Sequence, residues 1–321
     1  MGALNRLRNV LLPCLLAAGV AAPSASLAQE RFPSKPIELV VPWGPGGGAD
    51  ILGRLVAKWL EGDLKATVPV INSPGATGAI GVARMVANGA DGHSIAVLTG
   101  DTLALATVPE STFRFPDVVA LGVMIRQPSG IFTRADAPYK TWNDVIAAAR
   151  ANPGKISVAI TGPGSPDEAT VVHVSSKGAP LTSVGYTRPG ERFAAVLGGH
   201  VDLLYEQAGD VKGHLESKAL RPLIFFATQR LPAPFADVPV SAEFGYEILL
   251  PQMRAIIARS SLDPRRLAAL AASLDRYAQT PEFATYLKDQ YALADSYVPQ
   301  KDAQRFLEGE VAAMRRFIGA K

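Results

Sequence analysis

The sequence predicts an α/β protein with two lobes. Along its 321 residues, short apolar runs alternate with amphipathic segments, which is the pattern of strands covered by helices. A strand, a glycine-rich loop and a helix follow one another from residue 36, and the same succession returns from residue 156. The chain is long enough for two domains of about 150 residues each. The repeated unit therefore predicts a separate sheet in each lobe.

In the first lobe, the chain has apolar, β-branched runs that end in glycine- or threonine-containing loops. A stripe of Ile51, Leu55 and Trp59 predicts a helix packed on the sheet. In chain order, the predicted elements are a strand at 36–41, a helix that Asp50 caps, a strand at 68–71, a helix at 80–87, a strand at 94–98 and a loop at 99–102.

The second lobe repeats this design, and the end of the chain is helical. Asp263 and Thr280 each precede a proline, as helix N-caps often do. The predicted elements are a helix from 140 to 152, a strand at 156–160, a loop at 161–167, strands at 184–186 and 201–205, and a last helix at 301–318.

Composition excludes two classes of protein. With 48% hydrophobic and 19% charged residues, the chain can bury ordinary cores, so it is not intrinsically disordered. The formal charge is only +3, and no block of Lys and Arg or basic-aromatic stripe occurs. The sequence therefore predicts no nucleic-acid partner.

Residues 1–28 have the anatomy of a cleaved secretory signal peptide. Arg6 and Arg8 precede an apolar run at 10–22, and Ser26-Leu27-Ala28 matches a small-x-small cleavage site. We expect cleavage near Ala28 and a periplasmic mature protein. The alternative of a membrane anchor is disfavoured, because spanning a bilayer takes about 20 apolar residues.

Cys14, the single cysteine, lies within this leader. Pro13 precedes it where a lipoprotein signal normally has a small residue, so we expect no lipidation. The mature protein would then contain no cysteine, and it would form neither disulfides nor thiolate metal sites.

The first glycine loop has three interpretations. Gly44, Gly46 and Ala49 fall at the spacing of a dinucleotide fingerprint, but Asn72 stands where that fingerprint has an acid. A plain tight turn leaves the run of three glycines before Asp50 unexplained. We favour an anion-binding loop, in which backbone amides and the positive end of the following helix hold a carboxylate. The predicted site is thus lined by neutral donors.

The chain resembles, in five blocks, the periplasmic receptors of tripartite tricarboxylate transporters, the Bug (TctC-like) family. The glycine-loop block and the LGGHVDL block are specific, and the resemblance covers essentially the whole chain after the leader. The blocks are PIELVVPWGPGGGAD at 36–50, NSPGATGAIG at 72–81, ADGH at 90–93, LGGHVDL at 197–203, and DVP at 237–239 followed by Glu243 and Gly245.

This resemblance implies a periplasmic-binding-protein fold of type II, the Venus-flytrap arrangement of two Rossmann-like lobes with a double crossover hinge. We expect lobe 1 at 29–123 plus 250–321 and lobe 2 at 124–249. The implied function is capture of a small carboxylate-bearing metabolite by a monomer that uses no cofactor. Membrane permease subunits of a tripartite tricarboxylate-type transporter would receive the solute.

The resemblance also implies a ligand site built largely from backbone amides and waters. Asp50 would brace its loop. The residues carried over are Trp43, Gly46, Gly47, Gly48, Ala49, Asp50, Thr99, Gly100 and Asp101 from lobe 1, and Thr161, Gly164, Ser165, Asp167, Tyr186, Arg188 and Glu206 from lobe 2. Core packing remains an alternative role for Tyr186, and a structural or solvated carboxylate remains one for Glu206.

Three positions depart from the family pattern. Ala49 replaces the usual threonine and removes a hydroxyl donor. Asp167 stands where a ligand-binding serine is typical, so either it points away from the ligand or the ligand is unusual. Arg188 stands where the pattern has Lys-Gly after the tyrosine. It is expected to clamp a carboxylate, to pair with Asp167 or to remain solvated.

Other functions are weighed against this one. The chain contains no Gly-x-Ser-x-Gly elbow, and its four histidines lack zinc-ligand spacing, so a secreted α/β hydrolase and a metal site are disfavoured. We expect that the protein is not an enzyme. A receptor for a neutral, amide-bearing or amine-bearing solute and a ligand-sensing partner of a signalling system remain alternatives.

Overall fold

The sequence folds into two α/β layers, each built on its own sheet. The structure is a computed structural model that describes residues 32–318, apart from 110, 251 and 294. Its strands are β1 (Glu38–Val41), β2 (Val70–Asn72), β3 (Ser94–Thr99), β4 (Val118–Gln127), β5 (Ser129–Arg134), β6 (Ile156–Ile160), β7 (Leu181–Gly185), β8 (Leu203–Gln207), β9 (Leu220–Phe225), β10 (Gln252–Arg259) and β11 (Val298–Pro299). Its helices are α1 (Gly48–Leu64), α2 (Ala79–Asn88), α3 (Gly100–Ala104), α4 (Trp142–Ala151), α5 (Pro166–Ser176), α6 (Pro189–Leu197), α7 (Lys212–Glu216), α8 (Pro264–Ala278), α9 (Pro281–Asp289) and α10 (Gln300–Met314).

The first sheet has the strand order β11-β4-β10-β3-β1-β2. Strands β1, β2 and β3 are parallel, so the segments that follow β1 and β3 leave the sheet at one edge. Strand β10 returns antiparallel between β3 and β4, and its register sets Arg254 opposite Thr99 and Gln252 opposite Gln127. This pairing brings the polar end of β10 to the edge where α1 and α3 begin.

The second sheet has the order β7-β6-β8-β5-β9, with β6, β7 and β8 parallel and β5 antiparallel to both of its neighbours. Only Pro128 separates β4 of the first sheet from β5 of the second. The chain returns to the first sheet at β10, which begins at Gln252. The two connections between the sheets thus lie next to each other, because β10 pairs with β4.

Each sheet is covered on both faces by apolar side chains. Buried residues of α1 and α8 pack on one face of the first sheet, and residues of α2 and α10 pack on the other. Helices α4 and α5 contribute to the core on one face of the second sheet, and α6 contributes to the other. Helix α10 reaches both lobes, because Leu307 belongs to a core of the first sheet and Met314 to a core of the second.

The predicted α/β fold class with two sheets is confirmed. Two local predictions at the first cleft edge are wrong. Helix α1 begins at Gly48 with Gly47 as its N-cap, so Asp50 lies in the first turn and does not cap it. The predicted loop at 99–102 is the start of α3, because the Thr99 side chain accepts a hydrogen bond from the Thr102 amide at 3.3 Å and caps a short helix.

Candidate ligand site

A polar cavity, partly open to solvent, lies between segments that extend from both sheets. Segments that follow β1, β3, β6 and β8 reach it, together with the start of α6 and the first residues of β10. Nine residues carried over from the family pattern line its wall: Trp43, Gly47, Gly48, Ala49, Thr99, Asp101, Thr161, Asp167 and Glu206.

The N-terminus of α1 forms one wall of the cavity. The amide of Asp50 donates to the Gly47 carbonyl at 3.0 Å, whereas the amides of Gly48 and Ala49 belong to the first helical turn, which has no intrahelical partners. Both residues line the cavity. This end of the 17-residue helix therefore presents N–H groups and the positive end of the helix dipole to a ligand.

Asp50 holds the loop that leads into α1. Its carboxylate accepts hydrogen bonds from the Gly46 amide at 3.0 Å, from the Arg54 guanidinium at 3.0 Å and from the Asn72 side-chain amide at 3.0 Å. Burial raises the pKa of Asp50, but the three hydrogen bonds outweigh it and hold the pKa below its usual value. Asp50 lies behind the cavity wall and not in it, as the bracing role requires.

Gln252 of β10 anchors the start of α3. Its side-chain oxygen accepts a hydrogen bond from the Gly100 amide at 2.8 Å, and its side-chain nitrogen donates to Asp101 Oδ2 at 2.7 Å. On the other side of the loop, Trp43 Nε1 donates to Thr99 Oγ1 at 3.2 Å. These contacts fix the Asp101 carboxyl group at the cavity wall.

Thr161 links the two lobes through two carboxyl groups. Its hydroxyl lies 3.1 Å from Asp101 Oδ1 and 2.9 Å from Asp167 Oδ2, and its amide donates to Asp167 Oδ2 at 3.0 Å. Asp101 is 4% exposed and Asp167 is 2% exposed. Burial raises the pKa of both groups, and the neighbouring Asp101 raises that of Asp167 further.

Two buried ion pairs complete the wall. Arg192 of α6 pairs with Glu206 of β8, and Arg254 of β10 pairs with Asp210, which follows β8. Arg254 also donates to the side-chain oxygen of Gln127 at 2.8 Å. Burial raises the pKa of Asp210 to about 6 although Arg254 opposes the shift. The expectation of a site with neutral donors is wrong, because four carboxyl groups and two guanidinium groups line this cavity.

The family model for the tripartite tricarboxylate transporter family receptor matches residues 52–321. The chain belongs to this receptor family. It is 27% identical to Protein BugT of Bordetella pertussis over an alignment of 327 residues, and this alignment covers 99% of each chain.

Two solved structures show the same two-lobed fold. MatC from Rhodopseudomonas palustris, which has bound malate, superposes with a TM-score of 0.80 at 21% identity, covering 89% of this chain and 99% of that one. A second R. palustris protein, with adipate, gives a TM-score of 0.81 at 22% identity, covering 89% of this chain and 97% of that one.

Seven of the predicted site residues of the receptor lie outside the cavity lining. Gly46 and Asp50 are bonded to each other in the loop that leads into α1, and the Gly100 amide donates to Gln252. The other four lie in or beside the loops of the second lobe: Gly164, Ser165, Tyr186 and Arg188.

Contacts within the second lobe account for those four positions. Ser165 caps α5 by accepting a hydrogen bond from the Glu168 amide at 3.2 Å, and the Gly164 amide donates to Glu168 at 2.8 Å. Tyr186 packs against the apolar core beside α6. Arg188 is exposed and pairs with Glu191 at 2.9 Å, so its predicted pairing with Asp167 is absent from the described contacts.

Sequence reasoning missed five lining residues of the receptor: Arg192, Gln207, Asp210, Gln252 and Arg254. Gln252 and Arg254 carried a usable signal, since they occupy alternate positions at the start of an otherwise apolar strand. Polar residues on one face of a buried strand need partners, and here those partners lie in the cavity wall.

The part of the receptor that the structure describes has no helix long and apolar enough to cross a membrane. Within those same residues, no group of three or more acidic, His or Cys side chains is placed to hold a metal ion. The predicted signal peptide lies outside the described residues.

Proposed function

We propose that the protein is a periplasmic solute receptor that captures a small carboxylate-bearing metabolite for a tripartite tricarboxylate-type transporter. One observation carries the proposal: the N-terminus of α1, with Gly48 and Ala49, lines a polar cavity that segments from both sheets enclose. A carboxylate at this position accepts hydrogen bonds from both amides and lies at the positive end of the helix dipole.

Capture follows from contacts that span the two lobes. In our proposal, lobe 1 comprises residues 29–123 and 250–321, and lobe 2 comprises residues 124–249. Thr161 meets Asp101, and Asp210 meets Arg254, across the boundary between these lobes. A solute that contacts both walls of the cavity favours the closed arrangement, because only that arrangement provides both sets of contacts.

Export and delivery complete the proposed function. Residues 1–28 would direct the chain to the periplasm, and membrane permease subunits would take the solute from the closed receptor. No chemical step is required of the cavity, because binding is reversible. The protein would act as a monomer without a cofactor.

A thermal-shift screen of residues 29–321 tests this function. We expect at least one small mono-, di- or tricarboxylate, with malate and adipate in the panel, to raise the melting temperature with increasing concentration, because a ligand that binds only the native state stabilises it by mass action. Amino acids and neutral amides complete the panel. A screen in which no carboxylate-bearing compound shifts the melting temperature would contradict the proposal, and so would chemical conversion of the recovered ligand.

A further inference from the structure

Asp101 and Asp167 compete for a single hydroxyl proton. Thr161 Oγ1 lies within hydrogen-bond distance of both carboxyl groups, yet a threonine hydroxyl donates only one hydrogen bond. Gln252 supplies a second donor to Asp101, and the Thr161 amide supplies one to Asp167. Two ionised carboxylates in this arrangement have more acceptor positions than the protein has donors.

The arginines of the cavity do not fill this deficit. Arg192 is engaged by Glu206 and Arg254 by Asp210, whereas no ion pair among the described residues includes Asp101 or Asp167. Each arginine is matched by its own acid, so the Asp101 and Asp167 pair has no ion-pair partner among the described residues. A cation placed at this pair gains attraction from both groups at a site from which water is largely excluded.

One oxygen of the pair has no partner at all. Asp167 Oδ1 is buried and makes no hydrogen bond, although Asp167 lines the cavity and is 2% exposed. Native proteins rarely leave a buried carboxylate oxygen unsatisfied, because the loss of hydration is not compensated. Asp210 Oδ1, in the same cavity wall, is also without a partner. Among the described lining residues one donor, Arg192 Nε, is unpartnered as well, so the unpaired acceptors of the wall outnumber its unpaired donors.

We propose that the solute is a small zwitterion of the amino-acid type, with its carboxylate at the amides of Gly48 and Ala49 and its protonated amino group at Asp101 and Asp167. This inference rests on the proposed function and narrows the class of solute. An ammonium group has three N–H donors and no acceptor, so it satisfies Asp167 Oδ1 and relieves the competition for the Thr161 hydroxyl. A solute that carries carboxylates but no amine would instead bring only further acceptors to this pair, and it would leave Asp167 Oδ1 without a donor.

Matched pairs of compounds test the inference in the unmodified receptor. Isothermal titration of residues 29–321 would compare glutamate with glutarate, aspartate with succinate, and 4-aminobutyrate with butyrate. In at least one pair we expect the amine-bearing member to bind at least about tenfold more tightly, because a charged hydrogen bond at a buried site is worth that much.

The substitution Asp167→Asn assigns the preference to the proposed position. Asparagine retains an acceptor for the Thr161 amide and adds a donor for the Thr161 hydroxyl, so the local fold is preserved, and a thermal melt checks this. We expect the preference for the amine to fall at least about tenfold, mainly through weaker binding of the amino acid. Glu191→Gln is the matched control, since it removes an exposed acid of the same lobe outside the cavity and should leave the preference unchanged.

The outcomes separate this inference from the proposed function. Deaminated acids that bind as tightly as their amino counterparts would overturn the zwitterion and leave carboxylate capture intact. A simple alkylamine that binds as tightly as the amino acid would overturn both, because the carboxylate would then contribute nothing. An unchanged amine preference in Asp167→Asn would overturn the assignment of the ammonium to this pair.

Discussion

Position 48 requires glycine for a reason that the neighbouring sequence does not reveal. A Cβ atom added at this position would overlap Asp210 Oδ1 and the Arg254 guanidinium, and one added at Gly47 would lie 2.7 Å from Pro189 Cγ. The glycine run was predicted to let a ligand approach the backbone. The structure shows in addition that it lets the opposite lobe approach, so a side chain here obstructs the contact between lobes.

This overlap predicts the effect of Gly48→Ala. We expect the substitution to weaken solute binding strongly and to destabilise the described arrangement by about 1–3 kcal/mol, because the buried Arg254 and Asp210 pair has no free space to move into. Titration calorimetry and denaturant unfolding measure the two effects.

Gly62→Ala is the control for this substitution within the same helix. A Cβ atom at Gly62 meets nothing within 4 Å, so alanine should leave binding unchanged and stabilise α1 by about 0.5–1 kcal/mol. Equal losses of affinity in both variants would show that the contact between lobes is not the cause.

At the scale of single residues, the sequence predicted which unusual side chains lie near the glycine loops. It did not predict contacts between residues that are far apart in the chain. Asp167 was recognised as an acid in an unusual place because a local pattern defines that place. Arg254 was missed because its position depends on the pairing of β10 with β3, which joins residues more than 150 positions apart. Local periodicity contains no information about such pairing.

Among the elements, α1 owes its orientation to a brace that lies outside the cavity. Asp50 ties the loop at Gly46 to Arg54 within α1 and to Asn72 at the end of β2. The amides of Gly48 and Ala49 keep their orientation only while this loop keeps its conformation. The brace therefore connects the edge of the sheet to the proposed carboxylate position.

Asp50→Ala tests the brace. We expect a loss of about 1–3 kcal/mol in unfolding free energy, since Gly46 and Asn72 lose a buried acceptor, together with weaker solute binding although Asp50 touches no solute. Arg54→Ala is the comparison. It removes only a half-exposed ion-pair partner, worth about 0–1 kcal/mol, and leaves the other two hydrogen bonds in place. Full affinity in Asp50→Ala, measured by calorimetry, would refute the bracing role.

The elements that the sequence predicted are those with strong local signals. Asp263 and Thr280 are confirmed as N-caps of α8 and α9, and each is followed by the predicted proline at the first helical position. Strands β4 and β10 were not assigned, although both are interior strands of the first sheet. Both are buried apolar runs interrupted by polar residues at their ends, and such runs lack the alternation that identifies a half-exposed strand.

Across the whole molecule, buried acids and surface acids have opposite effects on the pH dependence of stability. Burial raises the pKa of Asp101, Asp167 and Asp210, the last from 3.8 to about 6. The folded protein therefore holds protons that the unfolded chain has released, and stability falls as the pH rises from about 4 through 6. Hydrogen bonds and ion pairs outweigh burial at acids such as Asp91, whose pKa is lowered to about 2, and their contribution is lost below about pH 4.

The ligand-free protein is accordingly expected to melt at a higher temperature at pH 5 than at pH 7.5. His173 opposes this trend, since burial lowers its pKa and its protonation below pH 6.5 costs stability, but it is a single, partly buried group. Calorimetric melts at the two pH values measure the difference, and Asp167→Asn should reduce it by removing one of the three buried acids. A melting temperature that is higher at pH 7.5 would contradict the expectation.

The one-residue connection at Pro128 restricts how the receptor can move. A single residue cannot stretch, so the ends of β4 and β5 keep a nearly constant separation whatever the lobes do. Sliding of one sheet past the other is thereby blocked, and pivoting about the crossing strands is the motion that remains. Solute entry would then depend on the angle between the two sheets. A longer connection inserted at Pro128 would allow other motions as well, so that this angle would no longer determine whether the cavity is occupied.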